Sequence, residues 1–298
     1  MGTAAPALAI HGGAGVIARG DPAFLAQARA GLEKALRCGT LVLEGGGAAL
    51  DAVEAAVRVL EDDPCFNAGR GSALTSEGRV EMDAALVDGV SGRAGAVAGV
   101  TTLRHPVSAA RLLLEQGLHV LMAGPGAERH ATALGAETID PALLITPRAL
   151  AQLEHLRHSG ALGSQGTVGA VACDAAGRLA AATSTGGTTG KLPGRIGDSP
   201  IIGAGTWADA SCAISATGLG EAFLRTAFAH ALASRIASGM AVEEAARQAL
   251  ALVRASGGNG GCIVVARTGM IVTMQHDDMF RATWSATQPA QVAIFRDD

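Results

Sequence analysis

GTVGAVACDAAGRLAAATSTGG, residues 166–187, is the stretch on which the fold class turns. Residues 167–173 and 178–183 are alternating or small-residue runs of strand character, and Asp174-Ala175-Ala176-Gly177 between them suits a hairpin connection. Further hairpins are expected from 80–87 with 94–101, around Asp88–Gly92, and from 261–267 with 270–275, around Thr268-Gly269. A further strand reads at 211–216, and ALAIH at 7–11 is a short apolar run expected to stop at Gly12-Gly13. Between these lie helical stretches. Asp21-Pro22 opens one as cap and first residue, with Phe24, Leu25, Ala28, Leu32, Ala35 and Leu36 at helical spacing. Leu50, Val53, Val57 and Leu60 mark a second, ending at Asp62-Asp63-Pro64, and others are expected at 107–116, 125–134, 220–238 and 241–255. Residues 136–166 read as an exposed connection because Pro141, Pro147, Ser159, Gly160, Gly163, Ser164 and Gly166 gather there, although 148–157 is compatible with a helix. Strands in hairpins and helices in runs predict an α+β layered sandwich of antiparallel sheets covered by helices, not a parallel doubly wound sheet.

Composition agrees with a packed domain. Of 298 residues 49% are hydrophobic, which excludes intrinsic disorder as an overall description. Aromatics make up 3% with no tyrosine, so the core is built from Ala, Val and Leu, and 41 glycines imply tight turns and close backbone approaches. A net charge of −4 offers no basic surface for nucleic acid. Five scattered cysteines without C-x-x-C spacing indicate neither a disulfide framework nor a zinc site, and His105, His155 and His158 read as solvated. With no Lys or Arg before His11, Pro6 spoiling a myristoylation signal, and no run of about 18 apolar residues, the reading is a soluble cytoplasmic protein without membrane contact.

Several features carry candidate chemistry. HGGAG at 11–15 resembles an anion nest, but it lacks the Lys and Ser/Thr of a phosphate loop and by itself reads as a structural turn; Asn67 with Gly69-Arg70-Gly71 is a weaker loop signal. Thr167 follows a Gly-rich link directly, with Thr183 and Thr185 close after the hairpin and Arg195 and Asp198 further on. A hydroxyl nucleophile needs a base, and a threonine freed at its own amino terminus carries one in its α-amine. Arg offers a fork for a carboxylate and Asp a partner for an ammonium, so the two together suit an α-amino acid. Equally, Arg195 and Asp198 can pair with each other in a turn.

GTVGAV (166–171), TSTGG (183–187), KLPGRIGDSP (191–200), GAGTWAD (203–209) and ATGLGE (216–221) resemble the plant-type L-asparaginase/isoaspartyl peptidase family of N-terminal-nucleophile hydrolases. So do HGGAG (11–15), LEDDPCFNAGRGS (60–72) and EMDAALVDG (81–89). The resemblance covers nearly the whole chain. It implies a four-layer αββα sandwich, residues 1–298 as one domain, self-cleaved at Gly166–Thr167 into segments 1–166 and 167–298 that stay together, with two such units paired. Thr167 would be the nucleophile and Thr185 a second threonine bonded to it, with Asn67 near its amine. Arg195 would bind the substrate α-carboxylate and Asp198 its α-ammonium, while the Thr217 hydroxyl and Gly218 N–H would form the oxyanion hole with Gly220 lining the same pocket. The substrate would be L-asparagine or a β-aspartyl dipeptide. No cofactor is implied for catalysis, but a structural sodium ion is, held by the backbone carbonyls of Leu60, Glu61, Asp63, Phe66, Ala68 and Arg70. Leu219, where relatives often have a polar residue, and Thr188-Thr189-Gly190 depart from the pattern at the leaving-group side. The alternatives are a glycosylasparaginase-like amidase, an unprocessed amino-acid-binding protein using Arg195 and Asp198 as a clamp, and a phosphate binder built on residues 11–15.

Overall fold

The computed structural model describes residues 5–159 and 166–298, so Gly160, Gly163 and Ser164 of the expected connection lie outside the described residues. The strands are β1 (Ala7–Gly15), β2 (Met82–Asp88), β3 (Ala94–Val100), β4 (Leu121–Ala123), β5 (Val168–Cys173), β6 (Leu179–Thr185), β7 (Thr206–Ala208), β8 (Cys212–Gly218), β9 (Gly260–Ala266), β10 (Ile271–Gln275), β11 (Asp278–Ser285) and β12 (Gln288–Ala293). The helices are α1 (Pro22–Glu44), α2 (Ala49–Asp62), α3 (Pro106–Gln116), α4 (Gly124–Ala133), α5 (Pro147–Ser159), α6 (Gly220–Thr226), α7 (Phe228–Ala237) and α8 (Val242–Ala255). α1 starts as the sequence implies: the Asp21 carboxylate accepts the Phe24 N–H at 3.0 Å, with Pro22 in the first turn.

An eight-stranded sheet, ordered β12-β11-β1-β5-β6-β2-β3-β4, faces a four-stranded sheet, ordered β10-β9-β8-β7. Period-two alternation sorts each strand between two cores. Leu8, Ile10, Val168, Ala170, Ala180 and Ala182 point outward into a core shared with Leu32, Val53, Val57 and Val107 of the helices. Their neighbours Ala7, Ala9, Val171 and Ala181 point inward against Ala213, Ile263 and Val265 of the smaller sheet. The outer face of that sheet, with Ile214 and Val264, is covered by Phe223, Phe228, Leu232 and Leu250 of α6, α7 and α8. The result is an α+β sandwich of layers α, β, β, α. Small residues let the layers close up: a Cβ at Gly95 of β3 would lie 2.0 Å from the Ala110 carbonyl oxygen of α3.

Six expectations need correction. His105 is not solvated but buried, 5% exposed. The larger sheet is not wholly antiparallel, because β3 and β4 pair parallel at its edge. β1 does not stop at Gly12-Gly13 but runs on to Gly15 along β11, with a bulge between His11 and Gly13. Neither β11 nor β12 was expected; β12 is an exposed edge strand containing Pro289 and lacks an apolar run. The helix expected over 220–238 is broken at Ala227, whose φ is +45°, because the Ala229 and His230 N–H groups of α7 turn to the carbonyls of Ala204 and Gly203. Finally, the connection 136–166 is partly packed: Leu144, Ala149 and Leu153 are buried, the last two on α5.

Candidate active site

Thr167 stands one residue ahead of β5, where both flanking ladders have ended: β5 pairs with β1 only from Gly169↔His11 and with β6 only from Val168↔Ser184. The alternation that sends Val171 and Cys173 between the sheets sends Thr167 there too. The same rule places Thr183 and Thr185 of β6 and Ser215 and Thr217 of β8 in that layer, all buried. A row of hydroxyls therefore lines one end of an otherwise apolar interior.

Around Thr167 these hydroxyls are organised. Its Oγ1 donates to Thr185 Oγ1 at 3.2 Å. Thr185 Oγ1 also accepts the Gly187 N–H at 2.9 Å and spends its own proton on the Gly166 carbonyl at 3.0 Å. That carbonyl receives a second bond, 2.8 Å, from Asn67 Nδ2. Asn67 is fixed in turn by the Gly187 carbonyl and by the Ala73 N–H, both 2.6 Å away. Asn67 thus sits on the carbonyl of the Gly166–Thr167 peptide. Two donors on one carbonyl oxygen polarise it toward attack and would stabilise charge developing there.

Thr217 Oγ1 accepts the Ala14 N–H at 3.1 Å, which leaves its own proton to donate. Gly218 lines a small cavity of about 10 Å³ together with Gly166, Thr167, Thr185, Arg195, Asp198 and Gly220, whereas Thr217 lies outside its lining. Beside it opens a cavity of about 650 Å³ bordered by Gly13, Phe66, Asn67 and Thr189. Gly166 lines both, so the intact peptide forms part of the wall between them.

The charged pair in the small cavity is not a pair at all. Arg195 gives Nε and Nη2 to the two oxygens of Glu221, each at 2.9 Å, and holds the Glu221 carboxyl below its usual range. Asp198 is buried, and its Oδ2 has no hydrogen-bond partner in the structure. Burial pushes its carboxyl up to about 7, with the Arg195 charge acting in the opposite sense. Glycine at 220 keeps space between the two: a Cβ there would lie 2.8 Å from both Arg195 Nη2 and Asp198 Oδ1. A cation and an anion flanking one small gap suit a zwitterion. We expect Gly220→Ala to raise KM for a free amino-acid substrate about 10- to 100-fold with kcat much less affected, since one methyl fills the gap while the hydroxyls stay in place. Steady-state kinetics check this, and an unchanged KM would place the substrate elsewhere.

The loop that ends α2 leads into the site through Asn67. Pro64 has no N–H to give the Leu60 carbonyl, and the left-handed Gly71 leaves a space in which a Cβ would meet the Phe66 and Pro64 carbonyl oxygens at 2.7 and 2.9 Å. The Glu61 carbonyl accepts the Arg70 N–H at 2.7 Å and the Asp63 carbonyl that of Phe66 at 3.2 Å, so each keeps a lone pair. Carbonyl oxygens of this kind fit a hard cation. Among the described residues there is no cluster of three His, Cys, Asp or Glu side chains suited to a metal ion.

Residues 11–15 are strand and bulge, not the expected turn. Sequence reasoning passed over three polar residues near the site: His11 as a contact of Thr167, Ser215, and Glu221 as the partner of Arg195. Strand alternation was the available signal for Ser215, two positions before Thr217.

A family model described as asparaginase matches residues 4–294. The chain is 44% identical over 308 residues to the isoaspartyl peptidase of Salmonella typhimurium, spanning 97% of this chain and 98% of that protein. The isoaspartyl peptidase of Escherichia coli is 44% identical over 308 residues, spanning 97% and 96%. The human isoaspartyl peptidase/L-asparaginase is 43% identical over 273 residues, spanning 89% and 88%. The protein is an enzyme of a hydrolase class. More narrowly, the chain belongs to the asparaginase family.

Proposed function

We propose that the protein cleaves itself between Gly166 and Thr167 and then hydrolyses the side-chain amide of L-asparagine or of β-aspartyl dipeptides, releasing L-aspartate. The observation carrying this reading is that Thr167, Arg195, Asp198 and Gly218 line one cavity. In self-cleavage the Thr167 hydroxyl attacks the Gly166 carbonyl, whose developing charge falls on the Asn67 and Thr185 donors. The C–N bond breaks, water hydrolyses the ester, and the Thr167 amine is free. Loss of the Gly166 peptide from the dividing wall joins the two cavities and gives a leaving group room, with Thr188 and Thr189 on either side of the junction.

In turnover Arg195 takes the substrate α-carboxylate and Asp198 its α-ammonium, which sets the side-chain carbonyl against Thr167 Oγ. The Thr167 amine accepts the hydroxyl proton, the oxyanion rests on the Thr217 hydroxyl and Gly218 N–H, and the amine then protonates the departing nitrogen. Water releases aspartate from the acyl-enzyme. A sodium ion on the carbonyls of Leu60, Glu61, Asp63, Phe66, Ala68 and Arg70 would stiffen the loop carrying Asn67, supplying structure and no chemistry. Pairing of two cleaved units and a cytoplasmic setting belong to the same proposal. No described helix is long and apolar enough to cross a membrane.

Denaturing intact-mass spectrometry after incubation at neutral pH tests the reading. Two fragments, one beginning at Thr167, should sum to the chain plus one water, and the sample should turn over asparagine or β-aspartyl dipeptides. A single chain inactive on both would leave a binding protein with Arg195 and Asp198 as its ligand clamp.

A further inference from the structure

We infer that His11 is a positioning residue for the nucleophile, the last link of a one-way chain of hydrogen bonds that crosses from the smaller sheet and ends on the carbonyl oxygen of Thr167. The inference rests on the reading of Thr167 just proposed.

The direction of the chain follows from chemistry. A carbonyl oxygen only accepts, so the 2.8 Å contact from His11 Nδ1 to Thr167 O places a proton on Nδ1. Burial pushes the His11 pKa down to about 4, so the ring is neutral and Nε2 accepts. Ser215 Oγ, 2.8 Å from Nε2, must therefore donate to it. Ser215 can then only accept from Thr183 Oγ1 at 2.7 Å. Thr206 Oγ1 stands at the head, 2.6 Å from Thr183 Oγ1 and 2.9 Å from the Ser199 carbonyl. His11, Thr183, Thr206 and Ser215 are each 0% exposed. Thr206 shares its single proton between Thr183 Oγ1 and the Ser199 carbonyl, and from Thr183 onward each bond orients the next, which makes this buried stretch rigid.

Two features tie the chain to Thr167 rather than to general stability. Its route needs glycine at 169, where a Cβ would lie 2.0 Å from Ser215 Oγ and 2.5 Å from His11 Nε2. And Thr167 lies beyond the ladders that hold β5. While the chain is intact, Asn67 and Thr185 tether Gly166, but cleavage severs that tether from residue 167. The bond from His11 then fixes the carbonyl of a terminal residue that would otherwise fray, and with it where the amine and Oγ stand. The bulge between His11 and Gly13 lets the same strand reach Thr217 through the Ala14 N–H, so nucleophile and oxyanion donor share one support.

Imidazole ¹⁵N shifts of His11 in the cleaved enzyme at neutral pH give a readout independent of activity, and should report the Nδ1–H tautomer. Ser215→Ala removes the donor to Nε2 while the Thr167 carbonyl still holds the proton on Nδ1, so the tautomer should stay Nδ1–H, the Nε2 resonance should shift as its hydrogen bond is lost, and kcat should fall about tenfold with KM for asparagine unchanged. His11→Leu should lower kcat about 10²-fold at constant KM. His11→Asn, whose amide N–H can stand where Nδ1–H stood, should recover most of the loss at the same Tm as His11→Leu. An Nε2–H tautomer in the native enzyme, native kcat in Ser215→Ala and His11→Leu, or kcat falling equally in His11→Leu and His11→Asn would overturn the inference. Should His11→Leu not fold, Ser215→Ala and the native ¹⁵N spectrum decide it. Native protein never cleaved at Thr167 would instead remove the reading beneath it.

Discussion

Thr167→Ala is expected to leave a single uncut chain and to lower turnover of asparagine and β-aspartyl dipeptides about 10⁴- to 10⁶-fold. Both losses have one cause. The hydroxyl that attacks the Gly166 carbonyl is also the hydroxyl that attacks substrate, and the amine that serves as base exists only after the first attack. The fold should survive, because the Thr167 hydroxyl donates one side-chain bond, to Thr185 at 3.2 Å, and alanine fits the space. Two controls separate the roles. Thr167→Ser should be cleaved and retain activity, since it keeps an oxygen nucleophile. Co-expression of residues 1–166 with a separate 167–298 segment carrying Thr167→Ala should give a folded protein with a free amine that remains inactive. A cleaved, active Thr167→Ala protein would remove Thr167 from the mechanism.

The hairpin at 166–187 was legible because its alternation, its Asp-Ala-Ala-Gly turn and its small residues all point to a buried strand pair. The cap on α1 was legible for the same reason: Asp21 and Pro22 act locally. What escaped was set by distant contacts. β1 continues past Gly12-Gly13 only because β11 lies alongside it, and β11 itself carries no clean alternation. The break at Ala227 answers to the carbonyls of Gly203 and Ala204, some twenty residues away in sequence. In the site, Thr167, Thr185, Arg195 and Asp198 could be singled out by their chemistry. The Arg195–Glu221 fork and the Thr183–Ser215–His11 chain could not, because each joins elements whose juxtaposition only the stacked sheets create.

Asp198→Asn should cut kcat/KM for substrates with a free α-amine about 10³-fold and, at pH 8, make the protein more stable. The carboxylate is buried, one oxygen is unpartnered, and the Arg195 fork beside it is already closed on Glu221. Burial therefore lifts its pKa from the ordinary 3.8 to about 7. A folded-state pKa above the unfolded one means that the folded chain binds the extra proton between these values, so stability falls as pH rises from about 4 to 7. Above that range the fold carries a bare buried charge which the asparagine amide lacks. Tm should thus be higher for Asp198→Asn at pH 8, and the difference should vanish near pH 4. Activity runs the other way. Only the ionised carboxyl attracts an ammonium, so below about pH 7 it adds a decline in kcat/KM to the one that protonation of the Thr167 amine gives native and variant alike, and the native acidic limb should be the steeper of the two. Bound ammonium favours the charged carboxylate, so the corresponding limb in kcat should lie at lower pH. A native acidic limb in kcat/KM no steeper than the variant's, or a variant no more stable than the native protein at pH 8, would show that Asp198 is not held in reserve for the substrate's positive charge.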